Sequence, residues 1–174
     1  MKTIGVISDT HGLMRPEALE ILRGADMILH AGDIGAPEVL ASLRSLTDVI
    51  AIKGNNDRGP WARAIPDTTA VKIEEVNIYL VHNVHNVDVD PTAAGYRVVI
   101  SGHSHHPCVK QINGVLYLNP GSAGPRRFKL PIALARLKIA GASVEAEIIT
   151  IDLSPQKKKS LTSRKRRHIK NSAF

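Results

Sequence analysis

The sequence has few aromatic residues, one cysteine and no long apolar run. Only 3% of its 174 residues are Phe, Trp or Tyr while 43% are hydrophobic, so the core must consist mainly of Ile, Val, Leu and Ala. The single cysteine, Cys108, excludes an intramolecular disulfide and fits a reducing compartment. No stretch approaches the roughly 18 apolar residues of a membrane span. These features exclude a disulfide-rich secreted domain and a helical membrane protein, and the length predicts one compact domain.

The amino terminus also lacks the pattern of a secretory signal. Asp9 and His11 interrupt its first apolar run before that run reaches the length of a signal-peptide core. We therefore expect a cytoplasmic protein without membrane contact. The sequence is compatible with a monomer or with a dimer.

The net charge of +7 belongs to the carboxyl terminus. Residues 153–174 carry eight of the 23 Lys and Arg residues and no acidic residue, which leaves 15 basic against 16 acidic residues in the rest. We predict a folded domain over residues 1–152 and a disordered or weakly helical basic tail over residues 153–174. The tail could bind nucleic acid or another polyanion weakly, and a solvated terminus without a partner fits its composition equally well.

The first half of the sequence alternates strand and helix patterns. Lys2–Ser8, Met27–His30 and Val49–Ile52 are short apolar runs rich in β-branched residues. Pro16 and Pro37 each begin a segment with apolar residues at helical spacing. This β-α-β-α-β order predicts a parallel sheet with right-handed crossovers.

The second half is rich in strands and tight turns. The predicted strands are Ala70–Glu74, Asn77–His82, Arg97–Ser101, Cys108–Ile112, Val115–Leu118, Ile132–Ile139 and Ala142–Asp152. Asn113-Gly114 is a typical hairpin turn, Ala140-Gly141 is a second turn, and Asp90–Tyr96 has a weak helical pattern. The whole predicts two packed sheets with helices outside, an α/β/β/α sandwich.

Five segments that follow apolar runs carry side chains typical of metal ligands. They are Asp9-Thr10-His11, Gly32-Asp33, Gly54-Asn55-Asn56-Asp57, Val81-His82 and Gly102-His103-Ser104-His105. Because strand ends in an open α/β sheet face one crevice, we expect these side chains to converge. Carboxylate, amide and imidazole groups without thiolate favour Mn, Fe, Zn or Ni over a structural Cys-rich zinc site. The pattern predicts a two-metal hydrolytic centre.

In order and spacing, the five segments resemble the calcineurin-like metallophosphoesterase superfamily, whose pattern is D-x-H, G-D, G-N-H-E/D, H and G-H-x-H. With Asn119-Pro120-Gly121-Ser122 included, the chain is most similar to its small single-domain phosphodiesterase branch, which also contains the retromer scaffold subunit. The resemblance implies a dinuclear phosphodiesterase in which a metal-bridging hydroxide attacks a small phosphoester. The alternative is a protein-interaction scaffold of the same fold with a vestigial metal site.

The resemblance further implies seven metal ligands in two groups. The ligands of the first metal would be Asp9, His11 and His105. The ligands of the second metal would be Asn55, His82 and His103, and Asp33 would bridge the two. We expect two divalent ions, with Mn favoured and Zn, Fe or Ni as alternatives.

The candidate catalytic residues are Asn56, His85 and Arg127. Asn56 occupies the position of the family's proton-donating histidine, and an amide cannot protonate a leaving oxygen. His85 is a candidate substrate-side histidine, and an exposed loop residue is an equally good interpretation. Arg127, like Arg58 and Arg126, could bind a phosphate by bidentate hydrogen bonds, against ordinary surface charge as the alternative.

Four further polar residues are predicted to support the site. His30 is expected to be a hydrogen-bonded core histidine that can orient the loop of Asp33. Asp57 is expected to accept hydrogen bonds within its own turn. Asn119 and Ser122 are expected to hold the loop over the site.

Overall fold

The computed structural model describes residues 1–153 and contains two five-stranded sheets packed face to face. The strands are β1 (Lys2–Ile7), β2 (Met27–His30), β3 (Val49–Ala51), β4 (Thr68–Ile73), β5 (Val76–Val81), β6 (Val98–Ile100), β7 (Cys108–Ile112), β8 (Val115–Asn119), β9 (Ala133–Ala140) and β10 (Ser143–Thr150). The helices are α1 (Pro16–Leu22) and α2 (Pro37–Arg44), and the 3₁₀ turns are Pro60–Ala62 and Val84–Asn86. The predicted two-sheet α/β sandwich is confirmed.

The first sheet has the order β10-β9-β1-β2-β3. Strands β1, β2 and β3 are parallel, as the alternating pattern predicted, and β9 and β10 extend the sheet in antiparallel pairing. Helices α1 and α2 make the two crossovers. Their buried residues Leu22 and Leu43 lie in one apolar cluster with Ile7 and Ile28 of the sheet. Both helices therefore cover the outer face of this sheet.

The second sheet has the order β4-β5-β6-β8-β7, with its three central strands parallel and both edge strands antiparallel. Its inner face meets the first sheet in a core that includes Val6 and Leu29 from one side and Ile78 and Ile100 from the other. The core between the sheets is aliphatic, as the low aromatic content predicted.

The outer face of the second sheet differs from the prediction. Asp90–Tyr96 forms hydrogen-bonded turns instead of a helix. The Asp90 carboxylate caps a single turn by accepting the N–H groups of Thr92 (2.9 Å) and Ala93 (3.3 Å), and Gly95, whose φ is 77°, ends that turn. This segment still covers the sheet, since Tyr96 packs with Tyr79 and Val87. The outer face of the second sheet is thus covered by a loop over residues 83–97 and not by the predicted helix.

The described residues end at Leu153, three residues after β10. The basic tail predicted over residues 153–174 lies, from residue 154 onward, outside the described residues. In residues 1–153, no helix is long and apolar enough to cross a membrane.

Candidate metal centre

The candidate ligands lie on loops at the carboxyl ends of five strands, β1, β2, β3, β5 and β6. Asp9 and His11 follow β1, Asp33 follows β2, Asn55 follows β3, His82 follows β5, and His103 and His105 follow β6. The structure thus brings residues about a hundred positions apart to the same end of the sandwich. Donor atoms of two subsets, Asp9–His11–His105 and Asp9–Asp33–His82, all lie within 4.8 Å of one another.

Five of these seven residues have a left-handed backbone conformation that residues other than glycine rarely adopt. Their φ angles are 53° for Asp9, 47° for His11, 52° for Asp33, 66° for His103 and 58° for His105. Only eight non-glycine residues within positions 1–153 have positive φ. Each such residue costs on the order of 1–3 kcal/mol and persists only where its surroundings impose it, typically at functional sites. The strain is therefore concentrated at the candidate ligands.

The first group consists of Asp9, His11 and His105. Asp9 Oδ1 lies 3.2 Å from His105 Nε2 and 3.9 Å from His11 Nε2, and the two Nε2 atoms are 3.2 Å apart. Donors bound to one cation at about 2.0–2.2 Å are separated by roughly 3.0–3.5 Å. Two of the three separations fit this range, and the Asp9–His11 distance of 3.9 Å would shorten on metal binding. Asp9 Oδ1 is buried and has no hydrogen-bond partner in the described part of the chain. A cation would satisfy this otherwise costly buried oxygen.

The second group consists of Asn55, His82 and His103. His103 Nδ1 lies 3.2 Å from Asn55 Oδ1, and the rings of His82 and His103 meet edge to face at a centroid distance of 5.3 Å. The Nδ1 atom of His82 is 2.7 Å from the Ala31 carbonyl, to which it donates. In neutral His82 this bond leaves Nε2 unprotonated, and Nε2 is buried without a hydrogen-bond partner among residues 1–153. The geometry leaves that nitrogen available to a metal.

Asp33 lies between the two groups. Its Oδ1 is 3.5 Å from His82 Nε2, and its Oδ2 is 3.8 Å from His11 Nε2, so its two oxygens face different groups. Burial raises the pKa of Asp33, but the nearby His82 imidazole and the hydrogen bonds from Asn56 outweigh it and hold the pKa well below its usual range. The carboxylate is therefore ionised and placed where a bridging ligand would lie.

Burial and neighbouring charges act in opposite directions on His82. Burial lowers the pKa of its imidazole, but Asp33 and the Ala31 carbonyl outweigh that effect and raise the pKa above the ordinary value. The separation of 3.5 Å from Asp33 makes this contact electrostatic rather than a well-formed hydrogen bond. Because a metal ligand must be unprotonated, a metal ion would compete with a proton for His82 Nε2.

His30 supports the Asp33 loop from the core, as predicted. Its Nδ1 accepts the Gly32 N–H at 3.2 Å, which assigns the ring proton to Nε2. Nε2 lies 3.0 Å from Thr10 Oγ1, and the Thr10 hydroxyl donates to the Ile34 carbonyl at 2.9 Å. Burial lowers the pKa of His30 to about 4, so the ring is neutral at neutral pH. The chain of bonds links the loops that follow β1 and β2.

Asp57 joins two loops of the site. It accepts the N–H of Gly54 in its own turn at 2.7 Å, as predicted. It also accepts the N–H groups of Ile34 (3.0 Å) and Gly35 (2.7 Å) across the site. This carboxylate therefore fixes the loop after β3 against the Asp33 loop.

Asn119 and Ser122 hold the later loops, as predicted. The Asn119 amide donates to the Gly102 carbonyl at 2.7 Å and to Ser104 Oγ at 3.1 Å. The Ser122 hydroxyl donates to the backbone carbonyl of Asp9 at 2.9 Å. The Asn119 contacts position the segment that carries His103, and the Ser122 contact holds the loop that carries Asp9.

Two residues to which the sequence assigned no role of their own, Ser8 and Gly102, also shape the site. Ser8 donates to Asp9 Oδ2 at 2.6 Å, and the His103 N–H donates to the same oxygen at 3.0 Å. Gly102 lies so close that a Cβ there would collide with Ser8 Oγ and Asp9 Oδ2. The available signal for Ser8 was a polar residue at the end of an apolar strand run.

The three candidate catalytic residues have different positions. Asn56 lies at the centre and donates to Asp33 through both its backbone and its side chain. His85 is exposed and borders an apolar cavity of about 510 Å³ together with Tyr117. A separate cavity of about 430 Å³ adjoins the second group and includes Asn55, His82 and His103 in its lining. The structure therefore does not bring His85 among the candidate ligands.

Arg127 is exposed but lies close enough for its charge to affect His11. Burial lowers the pKa of His11, Asp33 and Asp9 oppose that effect, and the Arg127 guanidinium lowers it further. Arg58 and Arg126 are also exposed, and Arg58 borders a different cavity beside Asp57. Arg127 is therefore close enough to act electrostatically on a candidate ligand.

Known proteins are similar to this chain in sequence and in fold. The family model described as the calcineurin-like phosphoesterase superfamily domain matches residues 1–142. A probable metallophosphoesterase of Methanothermobacter thermautotrophicus is 35% identical over 158 residues, 84% of this chain and 91% of that protein. Phosphodiesterase MJ0936 of Methanocaldococcus jannaschii is 29% identical over 136 residues, 68% of this chain and 82% of that protein.

A solved structure supports the same architecture. Vps29 of Entamoeba histolytica, complexed with Zn²⁺, superposes with a TM-score of 0.67 at 23% identity and covers 85% of this chain and 98% of its own. At this identity the likeness concerns the fold alone. The match over residues 1–142, with the two-sheet sandwich that accompanies it, shows that the chain belongs to the calcineurin-like phosphoesterase superfamily.

Proposed function

We propose that the protein is a dinuclear metal-dependent phosphodiesterase. The observation that carries the proposal is the position of Asp33, whose two carboxylate oxygens face the two groups of candidate ligands. Asp9, His11 and His105 would hold one ion, Asn55, His82 and His103 would hold the other, and Asp33 would bridge them. The two ions would supply Lewis-acid charge and lower the pKa of water so that hydroxide is available as the nucleophile at neutral pH.

The protein's own groups orient this site and balance its charge. Asp9 and Asp33 are the two anionic ligands and the other five are neutral in the bound form, so two divalent cations would leave the site positive enough to attract a phosphate. Asn56 fixes the Asp33 carboxylate, and the Ala31 carbonyl fixes the tautomer of His82. Arg127, whose charge affects His11, would bind a phosphate oxygen and stabilise negative charge in the transition state.

Two further points support this choice of activity. The similarity to a protein named as a phosphodiesterase favours diesters over monoesters. A scaffold would have no reason to keep all seven ligand positions filled, five of them in strained backbone conformations. Mn is our first choice of metal. The zinc complex of Vps29 supports Zn as the principal alternative, and Fe or Ni would suit the same donors.

The test is reconstitution of the chelated protein with Mn, Zn, Fe or Ni, followed by assays against diester, monoester and cyclic nucleotide substrates. Asp33→Asn keeps the side-chain shape but removes the charge, so diester hydrolysis should fall at least about a thousandfold, roughly 4 kcal/mol of barrier. Bound metal, measured by elemental analysis, should fall below two ions per chain. Asp90→Asn, in the exposed segment over the second sheet, is the matched control and should keep both activity and metal.

The outcomes separate the two interpretations of the fold. Normal turnover and two bound metals in Asp33→Asn would contradict the bridging role. Two bound metals without turnover of any phosphoester in the unaltered protein would favour the scaffold alternative.

We also propose that the basic residues between Lys157 and Lys170 bind polyanions weakly. Such clusters bind phosphate backbones by releasing counterions, so affinity for RNA or DNA should fall steeply with salt and depend little on sequence. A chain ending at Asp152 should turn over a small diester at the rate of the full chain and should lose nucleic-acid binding at low salt. Loss of turnover or folding would show that the tail belongs to the domain.

A further inference from the structure

A loop over residues 124–131 begins and ends beside the first group of candidate ligands. The Ala123 N–H donates to the Ser8 carbonyl at 3.1 Å, and Arg15 donates to the Gly124 carbonyl at 3.1 Å. A Cβ at Gly124 would collide with the backbone carbonyls of Asp9 and Thr10, so the loop begins in direct contact with the ligand loop. After the loop, the Ala133 N–H donates to the Ser122 carbonyl at 2.9 Å, and this hydrogen bond joins the two ends of the loop.

The loop carries one exposed aromatic ring among cationic side chains. Within residues 1–153, Phe128 is 91% exposed, and its φ of 53° is left-handed. Its sequence neighbours are Arg126, Arg127 and Lys129. Phe128 is four residues from Gly124, a chain distance of at most about 14 Å, so its ring lies within reach of a substrate held at the metal groups.

We infer that this loop recognises a nucleotide, with Phe128 stacking on the base while Arg127 binds the phosphate next to the candidate metal centre. The inference rests on the proposed phosphodiesterase function and names its substrate class. Arginine binds phosphate oxygens in bidentate fashion, and a flat exposed ring stacks on any base without reading its sequence.

The surroundings of Phe128 favour a base over an apolar partner. A lipid chain or an apolar protein surface would need a contiguous apolar patch, whereas the residues on either side of Phe128 are charged. Cations interleaved with an exposed aromatic residue instead match a ligand that combines a phosphate with a π-face. The contact of Gly124 with the backbone carbonyls of Asp9 and Thr10 places the start of the loop on the side of the metal groups.

The experiment compares three esters with the same leaving group on the Mn-reconstituted full chain. They are thymidine 5′-(p-nitrophenyl phosphate), its methyl deoxyriboside analogue without the base, and ethyl p-nitrophenyl phosphate. Phe128→Ala should lower kcat/KM for the thymidine ester about tenfold relative to the analogue without the base, chiefly through KM. Phe128→Tyr should restore the preference, because it restores a stacking ring. Ile112→Ala, a half-exposed apolar residue at the far hairpin, is the matched control and should keep the wild-type ratio.

The ratio of kcat/KM between the thymidine ester and the esters without a base tests the inference separately from the proposed function. Equal effects of Phe128→Ala on all three esters, or no effect on any, would overturn the stacking role while leaving the phosphodiesterase intact. Failure of the wild-type protein to hydrolyse any ester would contradict the proposed function. In that case calorimetry of thymidine 5′-monophosphate against inorganic phosphate decides the inference. The monophosphate should bind more tightly than phosphate to the wild type and lose that advantage in Phe128→Ala, and equal affinities in the wild type would overturn it.

Discussion

The side-chain amide of Asn56 donates to Asp33 Oδ2 at 2.6 Å, and the Asn56 backbone N–H donates to Asp33 Oδ1 at 2.9 Å. Asn56 therefore binds both oxygens of the candidate bridging carboxylate. The family pattern has a histidine at this position, and the resemblance implies that this histidine donates a proton to the leaving group. In this chain the residue anchors a candidate ligand, Asp33, instead. The geometry thus assigns to Asn56 a positioning role.

The first prediction follows from the missing proton donor. Hydrolysis rates should depend steeply on leaving-group acidity, with nitrophenyl esters far ahead of alkyl or nucleoside esters, since loss of general acid catalysis costs about a hundred- to ten-thousandfold for poor leaving groups. The measurement is the slope of log kcat/KM against leaving-group pKa over a series of aryl and alkyl diesters. A shallow slope would show that another residue, such as His85, supplies the proton.

Asn56→His should not restore acid catalysis by itself. A new imidazole needs a carboxylate to orient it, and the neighbouring Asp57 already accepts three backbone N–H groups. The variant would also lose the 2.6 Å bond to Asp33. We expect the slope to stay steep while activity on nitrophenyl esters falls, with Asn56→Ala as the control for loss of the bond alone. A markedly shallower slope in Asn56→His would contradict this expectation.

The second prediction concerns Gly102. A methyl group at this position would collide with Ser8 Oγ and Asp9 Oδ2, so Gly102→Ala should displace Asp9 and weaken metal binding at least about tenfold without changing any charge. Gly24→Ala is the control, because its Cβ would meet no atom within 4 Å in residues 1–153 although its φ of 82° is unfavourable. That control should lose about 1 kcal/mol of stability and keep its metal affinity. Metal titration of both variants measures the difference.

The third prediction concerns Asp57, which accepts three N–H groups and is 6% exposed. Asp57→Ala would leave those amides without a partner, and each buried unsatisfied group costs about 1–3 kcal/mol. We expect a loss of at least about 3 kcal/mol in the free energy of unfolding by denaturant. Asp90→Ala also removes two N–H contacts, but on an exposed turn where water replaces them, and should cost less than about 1 kcal/mol. Equal losses of unfolding free energy in the two variants would show that Asp57 does not hold the two loops together.

The sequence predicted the ligand cluster because its signals are local. Each ligand segment directly follows an apolar strand run, and parallel strands of one sheet end on the same side, so convergence follows from topology. The predicted helix over Asp90–Tyr96 was wrong because its apolar spacing was weak and Gly95, whose φ is 77°, ends the single turn that Asp90 caps.

The contacts that could not be predicted from the sequence join residues on different loops. The bonds of Asp57 to the Asp33 loop and of Asn56 to Asp33 depend on how the loops after β2 and β3 approach each other in three dimensions. The same holds for His85, whose place beside a different cavity is set by the 3₁₀ turn Val84–Asn86. Motif spacing fixes which residues share an edge of the sheet, and tertiary packing fixes which of their atoms touch.

The fourth prediction is that His30 makes the chelated protein less stable at acidic pH. Burial lowers its pKa from 6.5 to about 4, so between these values the unfolded chain binds a proton that the folded chain excludes. The stabilising contribution of neutral His30 is therefore complete above about pH 6.5 and is lost as the pH falls toward 4. Between pH 7 and pH 4.5 this amounts to about 2 kcal/mol in the free energy of unfolding.

The comparison that isolates this effect uses His30→Gln, whose amide can accept from Gly32 and donate toward Thr10 but does not titrate. Denaturant unfolding of both proteins in chelator at pH 7 and pH 4.5 should show the wild type losing about 2 kcal/mol more than the variant. Parallel losses would mean that His30 is protonated in the folded state. In that case the bond from Nε2 to Thr10 could remain, but Nδ1 would carry a proton toward the Gly32 N–H, and the chain of bonds beneath Asp33 would have to rearrange.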